Sequence, residues 1–341
     1  MKKIFTLFLF LLVGRSLAQP YNNEWIDYSK TYFKFKVTAD GLYRIPETVL
    51  ANAGLASIDA KEFQLFRNGV EIPIYTSVST GPLSPTDYIE FCGQMNDGKA
   101  DNPMYRTPAY QHTQKISLQS DTSVYFLTVN TTGNPFHYNA LTNDTSTNVL
   151  PAEPYFMYTA GTYFKSQINP GRAMVQGEYI YSSSYDVGEF WSSGFATQTY
   201  PAQAGVPISD NQNNLFIYSG GPAVANFKFG AAGCSDTLRN IQVKINNSLL
   251  KDTALNVFND IVSNISVPIG VLNSATTNFQ FINASQAVTY ADRLVVSFYE
   301  LNYPRQFNFG GQSNFSFLLP ARPAGFFLKI SNFNPGSATP V

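Results

Sequence analysis

Residues 84–128, SPTDYIEFCGQMNDGKADNPMYRTPAYQHTQKISLQSDTSVYFLT, decide how the rest of the chain is read. Two apolar runs of strand character, 88–92 and 124–129, flank a long polar loop rich in Asn, Asp, Gly and Pro. Short apolar runs dense in aromatic and β-branched residues, bounded by turn formers, are the signature of sheet. The stretch points to an extracellular type of β-rich protein and carries no catalytic constellation.

Upstream, residues 32–37 alternate strictly as Tyr-Phe-Lys-Phe-Lys-Val, the period of a half-buried strand. Asp40-Gly41 offers a tight turn into 42–45, so these two runs are expected to form a hairpin. Residues 46–53 are the one good helix candidate: Pro46 suits the first turn, Glu47 its positive end, and Gly54 its stop. Residues 62–66 and 70–75, joined by Asn68-Gly69, predict a second hairpin through a type I′ turn.

From Thr131 to Pro154 the chain turns polar and turn-rich, marking a domain boundary. Beyond it, strands are expected at 214–218, 225–229, 240–246, 278–282 and 293–300, separated by Gly and Asn/Ser clusters as in a sandwich or jelly roll. The fold class is therefore all-β and mostly antiparallel, in two β domains, with one short helix at 46–53. The expected division is a signal peptide over 1–18, an N-terminal β domain over 19–142, a linker over 143–154 and a second β-sandwich domain over 155–341.

The first residues carry an export signal. Lys2 and Lys3 precede an apolar core over 4–13, and Ser16-Leu17-Ala18 sets cleavage before Gln19. That core is too short to span roughly 30 Å of hydrocarbon, and no other run approaches spanning length, so no transmembrane segment is expected in the mature chain. The signal carries the protein through the inner membrane, leaving periplasm, cell surface and exterior as its destinations. Removing it leaves length for about two domains at roughly 150 residues each.

Charged residues are 13%, against roughly 25% in ordinary globular proteins. The 28 Phe and 21 Tyr run the other way and favour sheet. A net charge of −1 provides no pull toward nucleic acid or anionic lipid. Cys92 and Cys234 are two cysteines without a disulfide framework; nothing in the sequence brings them together, and unpaired thiols are the plainer reading.

No catalytic residue is assigned. The two histidines, His112 in the polar loop and His137 beside the linker, lack a nucleophile context, and no Gly-x-Ser-x-Gly elbow, His-Glu-x-x-His helix or phosphate-binding glycine loop occurs. No cofactor is expected beyond a structural Ca²⁺ at residues 96–102 (Asn-Asp-Gly-Lys-Ala-Asp-Asn), where Asp97 and Asp101 would supply hard oxygen ligands. The spacing is not that of an EF-hand, and Asx residues build such turns unaided. Asp186 and Glu189 invite a reading as a glycosidase pair, but capping turns and pairing with a nearby arginine suits them better. Tyr179, Tyr181, Tyr185, Phe190 and Trp191 would form a sugar platform only if several shared one exposed face.

Several motifs, in order, resemble the N-terminal region of gingipain-like cysteine peptidases of Bacteroidetes, including the type IX secretion sortases. They begin with 32–37 followed by Asp40-Gly41-Leu42-Tyr43-Arg44-Ile45. Next come Asp87-Tyr88-Ile89-Glu90-Phe91, Asn96-Asp97-Gly98, and Ser120-Asp121-Thr122 leading into Tyr125-Phe126-Leu127-Thr128. Last are Tyr185-Asp186-Val187-Gly188-Glu189-Phe190-Trp191-Ser192 and residues 292–309 with Tyr303-Pro304-Arg305. The likeness covers almost the whole mature chain. It implies β domains that precede a caspase-like peptidase domain carrying the catalytic His and Cys, expected downstream of Val341. Neither histidine here matches the family's catalytic position. The resemblance thus implies a secreted, non-catalytic module that positions or shields a peptidase domain; a free-standing surface module for carbohydrate or a protein partner is the rival expectation.

Overall fold

A computed structural model describes residues 23–132, 136–138, 146, 150–199, 203–285 and 292–336. The expected signal segment 1–18 and half of the expected linker 143–154 lie outside the described residues. The chain forms two compact units, one drawn from Met1–Asp97 and Gln119–Thr142, the other from Gly98–Leu118 and Asn143–Val341. Residues 98–118 of the polar loop thus belong to the second unit, and the loop's two ends to the first.

The first unit holds strands β1 (Phe33–Val37), β2 (Gly41–Pro46), β3 (Phe63–Arg67), β4 (Val70–Ile72), β5 (Tyr75–Thr76), β6 (Tyr88–Gly93) and β7 (Ser123–Val129). They make one sheet in the order β1-β7-β3-β4 and another in the order β2-β6-β5, antiparallel throughout. Helix α1 (Glu47–Asn52) follows β2 and buries Leu50.

The Asn68-Gly69 hairpin forms as expected, with both residues at positive φ (51° and 78°), the requirement of a type I′ turn. The Asp40-Gly41 hairpin does not. β1 pairs with β7 and β2 pairs with β6, so the chain changes sheets at this corner. Neither Asp40 nor Gly41 has positive φ, and Asp40 instead accepts a hydrogen bond from the Met95 amide at 2.8 Å. Phe35 of β1 and Tyr43 of β2 both pack on Phe91, with ring centroids at 5.7 and 5.6 Å. The two strands therefore share a core instead of a ladder.

The second unit holds β8 (Phe156–Tyr163), β9 (Gln167–Asn169), β10 (Arg172–Val175), β11 (Glu178–Tyr181), β12 (Phe190–Ser192), β13 (Ala196–Thr199) and β14 (Gln203–Val206). It continues with β15 (Ile208–Asn213), β16 (Val224–Gly233), β17 (Arg239–Ile245), β18 (Ser248–Ala254), β19 (Asp260–Pro268), β20 (Thr276–Ser285) and β21 (Asp292–Arg305). One sheet runs β14-β13-β21-β16-β19, with β8 also on β21, and a second runs β15-β20-β17-β18. β21 changes partner along its length, pairing with β13 near Leu294 and with β8 from Phe298 onward.

Their inner faces meet as a sandwich. Phe227 and Tyr299 of the first sheet stack against Phe279 of the second at 5.5 and 4.7 Å, and Phe229, Phe281, Ile241 and Val243 close the same core. Such ring pairs add about 0.5–1.5 kcal/mol each beyond their buried area. Residues 214–218, expected as a strand, are not one. Asn214 and Phe216 have positive φ (56° and 45°), which breaks the ladder, and only an isolated bridge from Ile217 to Arg305 remains.

A fully buried ion pair pins the far end of the sandwich. Arg239 Nε and Nη2 donate to the two carboxylate oxygens of Asp292, both at 2.7 Å, and neither side chain reaches solvent. Nη1 donates to the Leu255 and Val257 carbonyls and Nη2 to that of Ser235. Burial pushes the Asp292 carboxyl up, but hydrogen bonds from Arg239 and Ser235 outweigh it and hold it below the usual carboxylate range.

Candidate functional site

The titratable residues singled out in the sequence are best located from the segment Gly98–Leu118, which packs within the second unit as a strap. Its first turn, Lys99–Met104, buries Asp101. That carboxylate accepts from the Leu118 amide at 2.7 Å and from Ser117 Oγ at 2.8 and 3.0 Å. Tyr105 is buried, and its hydroxyl donates to the Glu189 carbonyl at 2.9 Å; burial, with the Glu189 and Asp101 charges, pushes its ionisation far up. Arg106 pairs with Asp186 at 3.2 Å, and Trp191 Nε1 donates to the Ser117 carbonyl at 3.1 Å.

At the strap's centre sits His112, only 3% exposed. Its ring stacks on Phe190 with centroids 4.1 Å apart. Nε2 lies 2.8 Å from Asp260 Oδ2 and Nδ1 2.8 Å from Ser297 Oγ. A carboxylate only accepts, which makes Nε2 the donor. The imidazole rests against backbone at Gly230, where a Cβ would stand 2.7 Å from Nδ1 and 2.4 Å from Ser297 Oγ. Only glycine fits there.

Ser297, His112 and Asp260 are the residue types of an acyl-transfer triad, and their contacts follow its order. The surroundings forbid that chemistry. Ser297 is 1% exposed on a central strand, and the adjoining cavity of about 10 Å³ has no room for an acyl group. The constellation is a clamp that fastens the strap to β19 and β21. It is not legible in the sequence, because three residues 37 or more positions apart meet only through sheet pairing; the signal available was His112 itself, an imidazole within an otherwise turn-forming loop.

Asp186 accepts from Ser182 Oγ at 2.9 Å and pairs with Arg106, and Glu189 Oε2 accepts the Asp186 amide at 3.2 Å. The two acids thus fold a turn and hold an arginine, and do not flank a cleft. Asp97 lies in the first unit and Asp101 in the second, where protein donors engage the Asp101 carboxylate. Among the described residues no group of three or more His, Cys, Asp or Glu is placed to hold a metal ion.

Both thiols are free. Cys92 is exposed on β6, because alternation turns it outward between buried Phe91 and Gly93. Cys234 is buried, and burial pushes its thiol up to about 11 despite nearby Arg239 and Arg172. The aromatics do not form one platform: Tyr179 and Tyr181 are exposed on β11, Phe190 is buried, and the Tyr181 ring lies under the Arg172 guanidinium at 3.6 Å. His137 contacts the Phe63 carbonyl at 3.0 Å in the first unit.

No family model and no curated protein matches this sequence. Among solved structures the chain is similar to dimeric latent PorU from Porphyromonas gingivalis, at 12% identity and a TM-score of 0.47, over 82% of this chain and 24% of that one. It is also similar to the carbohydrate-binding module CBM36 in complex with calcium and xylotriose, at 10% identity and a TM-score of 0.25, over 42% of this chain and 98% of the module. The chain spans about a quarter of the length of the PorU structure it matches. Among the described residues no helix is long and apolar enough to cross a membrane.

Proposed function

We propose that this chain is an exported, non-catalytic β module of a gingipain-like cysteine peptidase of the type IX secretion sortase kind, which positions or shields a peptidase domain not contained in it. One observation carries the reading: the acids and bases of the resembling motifs serve architecture. Arg44 pairs with Glu90 at 2.7 Å, Asp87 accepts from Ser77 Oγ and the Ser84 amide, Asp186 holds Arg106, and Asp292 holds Arg239. Arg305 likewise anchors the Asn214 and Asn308 carbonyls. Charged groups engaged in this way make a rigid platform, which supports a role in holding a neighbouring domain.

The reading is tested by assaying the purified chain for peptide hydrolysis under reducing conditions, with and without a thiol alkylator. No alkylator-sensitive turnover is expected. Hydrolysis abolished by Cys92→Ala or Cys234→Ala overturns it.

A further inference from the structure

The clamp, the buried ion pair and the strap are closed and internally satisfied; one open cavity of the second unit is not. It measures about 320 Å³ and lies between β8, the irregular segment after β15 and residues 305–315. Arg305 lines it and is only 6% exposed. Nη1 donates to the Asn214 and Leu215 carbonyls at 2.8 and 3.1 Å, and Nη2 to the Asn308 carbonyl at 3.0 Å. Nε has no partner and is one of the few buried side-chain polar atoms left so among the described residues. Native interiors satisfy nearly all such groups, so an unspent guanidinium N–H beside a cavity asks for an explanation.

The walls narrow the answer. Tyr158, Phe216 and Phe315 place their ring faces within 5.1 Å of the guanidinium carbon. Asn214 and Gln312 line the same cavity with carboxamides, each able to donate and to accept. No acidic side chain among the described residues lines it, and carbonyls and ring faces offset the Arg305 charge there. Phe216 and Asn214 are held at positive φ, a conformation that costs energy and is kept because Arg305 grips the carbonyls between them. Rings, amides and one cation around a space of this size match a hydroxyl-rich ring that bears an anion.

We propose that this cavity binds an acidic sugar, a uronic acid unit of a glycan, with its hydroxyls on the Asn214 and Gln312 amides, its ring against the aromatic wall and its carboxylate drawn by Arg305. The site is independent of any role beside a peptidase domain.

The test is calorimetric titration of the full chain with oligogalacturonate and oligoglucuronate, against neutral galacto- and gluco-oligosaccharides of the same length and a short peptide with a free C-terminal carboxylate. Gln312→Ala removes an exposed amide that makes no side-chain hydrogen bond among the described residues, and Asn214→Gly removes the second amide at a positive φ that glycine adopts freely. We expect an acidic oligosaccharide to bind at least tenfold more tightly than its neutral match. Each substitution should weaken binding at least fivefold while the melting temperature stays within about 2 °C. Equal binding of neutral and acidic sugars, preference for the peptide, no binding, or binding that both folded variants retain would each overturn the proposal.

Discussion

If His112 clamps the strap to the sheet, its removal should free the strap without dissolving the sandwich. His112→Ala deletes a ring stacked at 4.1 Å on Phe190, worth about 1 kcal/mol. It also deletes two hydrogen bonds. Asp260 is partly exposed and can turn to water, but Ser297 Oγ is left unpaired at 1% exposure, a loss of about 1–2 kcal/mol. The vacated ring leaves a void of roughly 60 Å³, adding about 1.4 kcal/mol at roughly 24 cal/mol per Å³. The expected destabilisation is about 3–4 kcal/mol. His112→Phe keeps the stack and loses only the polar terms, so it should cost about 2 kcal/mol. The chain has two tryptophans, Trp25 in the first unit and Trp191 in the second, and Trp191 donates directly to the strap at Ser117. In a Trp25→Phe background, urea unfolding followed by Trp191 fluorescence therefore reads the clamp. A loss below about 1 kcal/mol for His112→Ala would mean that His112 does not clamp the strap.

Two further outcomes follow from the same structure. With its thiol pushed up to about 11 and buried, Cys234 should react with a thiol reagent at pH 8 at least a hundredfold more slowly than exposed Cys92, and mass mapping of the labelled peptides would show it. Asp292 has a folded pKa below its unfolded value, so its contribution to stability is complete above the unfolded pKa of about 3.9 and is lost as pH falls through the folded value. Asp292→Asn should therefore flatten the acid limb of a stability-against-pH curve and leave Arg239 buried without its counter-charge, at a cost of about 3–5 kcal/mol near pH 7.

Much of the architecture was legible because local chemistry and tertiary environment agree. The alternation at 32–37 became β1, Asn68-Gly69 became a type I′ turn, and Pro46, Glu47 and Gly54 bracket helix α1. Pairing partners were less legible. Asp40-Gly41 reads as a hairpin turn, yet the aromatics on both sides are drawn to Phe91, and burial of those rings outweighs local pairing. Polar β15, Ile-Ser-Asp-Asn-Gln-Asn, shows no strand bias because it is a sheet edge with one face in water. Residues 214–218 carry strand-like composition but are turned out of the ladder by Arg305, a long-range grip without a local signal. The clamp was invisible for the same reason: Ser297, His112 and Asp260 lie on separate stretches and meet only when the sandwich closes.

The proposal that this chain is a non-catalytic module is tested most directly by recovering the native protein from the cells that make it, with an antibody against the second unit, and determining by mass spectrometry what accompanies it. A caspase-like peptidase domain with a His–Cys dyad is expected, on the same polypeptide or present in equal amount. Recovery of this chain by itself, at the mass of its own sequence less the signal segment and with no peptidase domain attached or bound, would contradict the proposal.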